Sequence, residues 1–112
     1  MAVINQYKMY GVTSTAAETA NLLSPLISET YIIKSLHVTN KSGANTPTIT
    51  ITNNGFQVSN TQTLTAASSV EILTNPMVVE GATVLSYTTA GTVSDGVDIT
   101  LSYLNIKKEV TI

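Results

Sequence analysis

Residues Thr30 to Asn40 read TYIIKSLHVTN, and the next five are Lys41-Ser42-Gly43-Ala44-Asn45. A β-rich run of this length that stops at a turn cluster is a strand, and its length makes it a central one. At period two, Ile32, Leu36 and Val38 fall on one face and point into a core, while Ser35, His37 and Thr39 share the other with Tyr31 and Ile33. Lys34 interrupts the inward face. Either it lies near the rim of the sheet with its ammonium reaching water, or a β-bulge turns it outward.

Downstream the pattern stays β. Thr46 to Thr52 alternates Ile49 and Ile51 against Thr48, Thr50 and Thr52, a strand with one dry and one wet face. Asn54-Gly55 accepts the positive φ angles of a type I′ turn, so Phe56 to Ser59 folds back antiparallel, with Phe56 packing at the hairpin end. Gln62 to Leu73 places Leu64, Ala66, Val70 and Ile72 on one face, with a bend expected at Ser68. Asn75-Pro76 is a turn, Met77 to Val79 a short apolar run, and Glu80-Gly81 a stop before a strand over Ala82 to Thr88. Val97 to Leu104 alternates most cleanly, with Val97, Ile99, Leu101 and Tyr103 inward and Asp98, Thr100 and Ser102 outward. That strand is expected to be central too.

Upstream, Val3 to Val12 suits an N-terminal edge strand, and its Tyr7 and Tyr10 serve equally over the domain's own core or in a contact between chains. Thr13 to Glu29 admits two readings. Thr15-Ala16-Ala17-Glu18 fits a capping box for a short helix ended by Pro25, whereas Thr19 to Leu23 fits a short strand, which the β-rich remainder favours. Segments 1–12 and 105–112 are either terminal arms or edge strands, and Lys107 and Lys108 at the C-terminal end join Tyr7 and Tyr10 as candidate interface residues. About seven to nine short strands, and no long helix-period segment, describe a single all-β domain over 1–112, an antiparallel β-sandwich of jelly-roll-like form.

The sequence has 112 residues, 43% hydrophobic but only 11% charged, without arginine and with 19 Thr, 11 Ser and 9 Asn. Uncharged polar residues suit solvent-facing strands, and a neighbour covering such a surface has few charges to desolvate. The net charge of -2 lacks the basic clusters that phosphate neutralisation needs, so nucleic acid is not an expected partner. Absent cysteine rules out disulfides and thiolate metal sites. No apolar stretch is long enough for a signal peptide or a membrane span, which points to synthesis in a cytosol and to no membrane partner.

Catalytic patterns are missing. His37 is the only histidine and reads as a solvent-facing or interface residue, and Asp95 with Asp98 bracket a glycine turn without enough acidic neighbours for calcium. Glu71 and Glu80 are not placed as a glycosidase pair, no serine sits in a G-x-S-x-G elbow, and the scattered turn glycines make no phosphate cradle. Asn40-Lys41-Ser42 is formally a glycosylation sequon, which has no meaning without secretion. No enzyme activity, cofactor or metal is expected.

Three stretches carry a resemblance: Lys34 to Asn40 ending in V-x-N before a Ser/Gly turn, Glu80 to Val84 as E-G-(D/A)-x-(I/V), and Val97 to Leu104 containing V-D-I-x-L-S-Y. Over about Thr19 to Leu104 the chain resembles the small β-sandwich virion proteins of tailed bacteriophages, although Ala82 stands where such proteins often have Asp. The resemblance implies a virion structural protein made in the host cytoplasm, foremost a head decoration or cement subunit that contacts the major capsid protein or other virion proteins. It also implies self-association, with a homotrimer expected. A tail, baseplate or fibre component is the alternative within that class, and a carbohydrate-binding β-sandwich module the alternative outside it. The face assignment is testable directly: Leu101→Asp would bury an unpaired carboxylate and abolish folding. Loss of the cooperative melt by circular dichroism is the expected result, and a soluble, cooperatively melting variant would reverse the assignment.

Overall fold

The computed structural model describes residues 3–108. Ten strands form two five-stranded antiparallel sheets. In chain order they are β1 (Val3–Ser14), β2 (Thr19–Leu23), β3 (Glu29–Asn40), β4 (Thr48–Asn53), β5 (Phe56–Gln57), β6 (Gln62–Thr63), β7 (Ser69–Glu71), β8 (Met77–Val79), β9 (Leu85–Ala90) and β10 (Val97–Lys108). The first sheet runs β1-β10-β3 and then β7 and β8 end to end along β3; the second runs β2-β9-β4 and then β5 and β6 along β4. The partners are nested: β1 with β10, β2 with β9, β3 with β7 and β8, β4 with β5 and β6. An antiparallel ribbon rolled into two layers in this way is a jelly roll, and the core lies between the layers.

The elements follow their sequence signals closely in places. Between Thr19 and Leu23 the chain is a strand, since its residues gain ladder hydrogen bonds from β9 that an isolated helical turn would lack. Asn54 and Gly55 have φ of 52° and 83°, the left-handed pair that closes the β4–β5 hairpin. Segment 62–73 breaks in two. Ala67 takes φ 51°, one residue before the expected bend, and there the chain crosses from β4's sheet to β3's. Residues 3–12 and 105–108 are strand, in β1 and β10, with 3–6 opposite 105–108; residues 1–2 and 109–112 of the candidate arms lie outside the described residues.

Two expectations need correction. In β3, Ser35 pairs with Ser102 and Ile33 with Tyr103, leaving Lys34 as the unpaired residue of a bulge. The bulge exposes Lys34 and shifts the side-chain parity, so Ile33, not Ile32, enters the core with Leu36 and Val38, each 0% exposed. Phe56, expected to pack at the hairpin end, is 73% exposed because the two-residue strand β5 projects it past the edge of the core. The inward residues of β10, from Val97 through Leu101, are as the alternation required.

Two sequence features at the β8–β9 turn have a steric origin. Thr83 N–H donates to Glu80 O (3.2 Å), closing a turn whose third residue, Ala82, has φ 64°. A Cβ on Gly81 would lie 2.7 Å from the carbonyl oxygens of Leu26 and Ile27, so only glycine lets the turn dock on the loop before β3. Gly81→Ala should therefore lower the urea unfolding free energy by about 2 kcal/mol or more. The exposed Ala82 changed to Asn should raise it by about 0.5–1 kcal/mol, because Asn tolerates the left-handed region better.

Candidate functional site

Strands β1, β3 and β10 have 12 residues each, roughly 40 Å, against five or six for β2, β4 and β9, so the first sheet overhangs the second. Its outer face divides along its length. At one end, Asp98 accepts from Thr13 Oγ1 (2.6 Å) and pairs with Lys41 (3.3 Å), and His37 Nε2 lies 3.2 Å from Glu71. The other end is apolar. The ladders place Tyr7 opposite Leu104, Leu104 opposite Ile32, and Ile32 opposite Val78, a row across four strands. Tyr7 is 76% exposed, Met9 beside it 70% and Val78 50%.

The candidate interface residues occupy distinct places around this row. Tyr7 belongs to it, whereas Tyr10 is on the opposite face of β1, where it pairs with Leu101. Lys107 and Lys108 are exposed at the end of β10, opposite Ile4 and Val3 of β1. Missing from the sequence reading were Met9, Ile32, Leu104 and Val78. Each is an unremarkable hydrophobe in its own strand, and Ile32 reaches the outer face only through the bulge at Lys34. Their sole shared signal is cross-strand register, which no local pattern records.

β1 is the open edge of this sheet. Its 12 residues pair with β10 without a bulge and contain no proline, and Lys8 is the one charge. Natural edges usually carry such protection. The backbone polarity can be assigned. Lys108 N–H donates to Ser28 O (3.0 Å) on the β3 side of β10, so even residues of β10 bond to β3 and odd ones to β1. In β1 the even residues Lys8 and Tyr10 then bond to β10. Tyr7, Met9 and Gly11 present free N–H and C=O groups at the edge.

Elsewhere, polar groups act as ties. Asn40, 2% exposed, donates through its amide to the carbonyls of Asn45, Leu64 and Thr65 and accepts from Ser42 N–H, binding the turn after β3 to the crossing at Ala67. The sequon asparagine thus has no free amide to modify. Glu71 Oε2 accepts from the N–H groups of Leu36 (2.7 Å) and Leu73 (3.2 Å), a structural use of that carboxylate. Among the described residues no three His, Asp or Glu gather as metal ligands, and no helix is long and apolar enough to cross a membrane. An open cleft of about 400 Å³ lies between the β4–β5 hairpin and β8, lined by Asn54, Phe56, Gln57, Glu80 and Thr83 among others.

At the overhanging end Glu29, 9% exposed, accepts from Leu26 N–H (2.9 Å) and the Asn105 amide (3.0 Å), beside the tilted ring pair of Tyr31 and Tyr103, centroids 4.8 Å apart. The Leu26 N–H, with help from the Asn105 amide, the Lys107 charge and Tyr31, holds the Glu29 carboxyl below its usual range despite the opposing effect of burial. Asp98 is lowered likewise, first by the Thr13 hydroxyl and then by Lys41, against burial. Burial and the nearby Glu29 raise both tyrosines.

No protein-family model matches the sequence, and no curated protein sequence does. Among solved structures, a chain from the disulfide-linked pili of Bacillus endospore appendages aligns with a TM-score of 0.52 and 17% identity, over 96% of this chain and 89% of that one. A chain from the cyanophage Pam1 capsid asymmetric unit aligns with a TM-score of 0.49 and 12% identity, over 93% of this chain and 85% of that one. The appendage likeness shows the fold alone. This sequence has no cysteine, so disulfide linkage has no residues here.

The lowered carboxylates make acid stability predictable in sign. Their contribution is present above the ordinary values of 4.5 for Glu and 3.8 for Asp and is lost as pH falls through the depressed folded values. The melting temperature should fall as pH drops below about 4.5. Glu29→Gln should flatten that fall while lowering stability at neutral pH; an unchanged profile would show that Glu29 is not coupled to folding.

Proposed function

We propose that this protein is a non-catalytic virion structural protein of a bacteriophage, a decoration or cement subunit that stabilises the head by contacts with the major capsid protein and with its own copies. The observation that carries the reading is the long open edge β1 beside the apolar row Tyr7–Leu104–Ile32–Val78. Strand addition to such an edge supplies main-chain hydrogen bonds, and an apolar row beside it supplies burial. A surface with so few charges loses little when covered. The sequence resemblance supports the virion setting, and the E-G-A turn and the V-x-N strand end now have structural reasons. Tyr7 and Met9 on the edge, with Lys107 and Lys108 at its end, are the residues assigned to contact.

A tail, baseplate or fibre position is the second reading within the class. Glycan binding is a third, favoured by the cleft in which exposed Phe56 stands beside the amides of Asn54 and Gln57 and the carboxylate of Glu80, chemistry suited to a sugar ring. On purified particles from the source of this sequence, an antibody to the domain should detect the protein by immunoblot and label the head in immunogold micrographs. Label on the tail would select the second reading. Absence from the immunoblot would overturn the virion assignment, and a glycan array signal abolished by Phe56→Ala would select the third.

A further inference from the structure

The open edge is self-complementary. We propose that two copies of this chain pair through β1 in antiparallel register, each Met9 opposite the partner's Met9, to give a two-fold dimer in which the overhanging sheets become one. The inference deepens the assembly reading above and names the partner of the same edge.

Backbone chemistry limits the choices. Only odd residues of β1 offer outward N–H and C=O groups, so a symmetric pair must set odd residues opposite odd ones. Registers centred on Lys8 or Met9 leave one residue of β1 unpaired, and those centred on Tyr7 or Tyr10 leave three. Centring on Lys8 puts two ammonium groups directly opposite each other, which is unfavourable. Centring on Tyr10 places Lys8 against the partner's Val12, an apolar group that offers the charge nothing.

Centring on Met9 answers every side chain of the strand's middle. Tyr7, 76% exposed, lies over the partner's Gly11, whose missing side chain leaves the flanking Met9 Cε and Thr100 Cγ2 of that copy as apolar groups for the ring to pack on. Lys8 lies opposite the partner's Tyr10, a residue 36% exposed whose ring can take the ammonium. The two methionines, 70% exposed as a single chain, cover each other on the outer face. Asn5 faces the partner's Thr13, and Gln6 the partner's Val12. Because the two-fold axis is perpendicular to the sheet, both apolar rows emerge on one side, offset along the strands and linked across the axis by the Tyr7 and Met9 side chains of the two copies. Such an isologous contact closes on itself at two copies, in place of the trimer that the family resemblance implies.

The absence of cysteine makes the register directly testable. Across a hydrogen-bonded antiparallel pair the Cα atoms are about 5.5 Å apart, within the span of a disulfide. Under mild oxidation Met9→Cys should give a crosslinked dimer, and Lys8→Cys mixed with Tyr10→Cys a crosslinked heterodimer, while neither of the last two should crosslink alone. Met9→Pro removes an outward N–H at an edge position that tolerates proline, so it should keep the wild-type circular dichroism and a cooperative melt at a lower temperature, yet sediment as a monomer where the wild type is a dimer. A wild type that stays monomeric at about 100 μM, well above the concentrations at which micromolar contacts form, would overturn the proposal. So would efficient self-crosslinking of Lys8→Cys. Either result would leave the virion assignment standing, since particle labelling does not depend on this register.

Discussion

The ladder between β3 and β10 is the interaction on which the rest of the structure depends. It joins two 12-residue strands distant in sequence, carries the bulge at Lys34, and supplies the largest share of the buried side chains, from Ile33, Leu36 and Val38 to Val97, Ile99 and Leu101. The bulge divides the sheet into two halves of opposite parity along β3. On one side of it the outer face is polar, with His37 and Thr39; on the other the outer face receives Ile32. One unpaired residue thus lets the same strand line a continuous core inside and an apolar row outside, because a one-residue offset exchanges the faces.

Around that ladder, the sandwich is held at its ends by buried polar groups rather than by extra apolar area. Asn40 ties the turn after β3 to the point where the chain changes sheets, and Glu29 ties the loop before β3 to Asn105 on β10. Gly81 lets the β8–β9 turn press against that same loop. A buried polar group that loses its partner costs about 1–3 kcal/mol, so these ties specify how the loops close as well as how firmly. Asn105 keeps one unpartnered oxygen, Oδ1, in the overhanging end of the sheet.

The scarcity of charge links the fold to its proposed use. An edge strand with a single lysine, beside an outer face that is apolar at one end and carries the Asp98–Lys41 and His37–Glu71 contacts at the other, makes a surface whose apolar end gains from being covered. The appendage neighbour shows a likeness of fold alone, and a jelly roll hosts many functions. What distinguishes this molecule is the placement of Tyr7, Met9 and Gly11 at an edge whose backbone is free.

Much of the fold was legible in the sequence because its signals are local. The Asn54-Gly55 hairpin, the Thr19–Leu23 strand and the alternation from Val97 to Leu104 each depend on a few adjacent residues, and each appears where expected. Tyr7 and Tyr10 were recognisable as edge aromatics of opposite parity, but not that their partners across the ladder are Leu104 and Leu101. Phe56 could not be placed from its neighbours, since its exposure depends on how far the hairpin reaches beyond the second sheet. By itself the sequence determined an all-β, antiparallel domain with a low-charge surface and no visible catalytic pattern, because period, turn chemistry and composition are properties of short stretches. Only the tertiary structure decided the bulge at Lys34, the row from Tyr7 to Val78 and the free edge of β1, because register between strands far apart in the chain is set by the packing of the whole core.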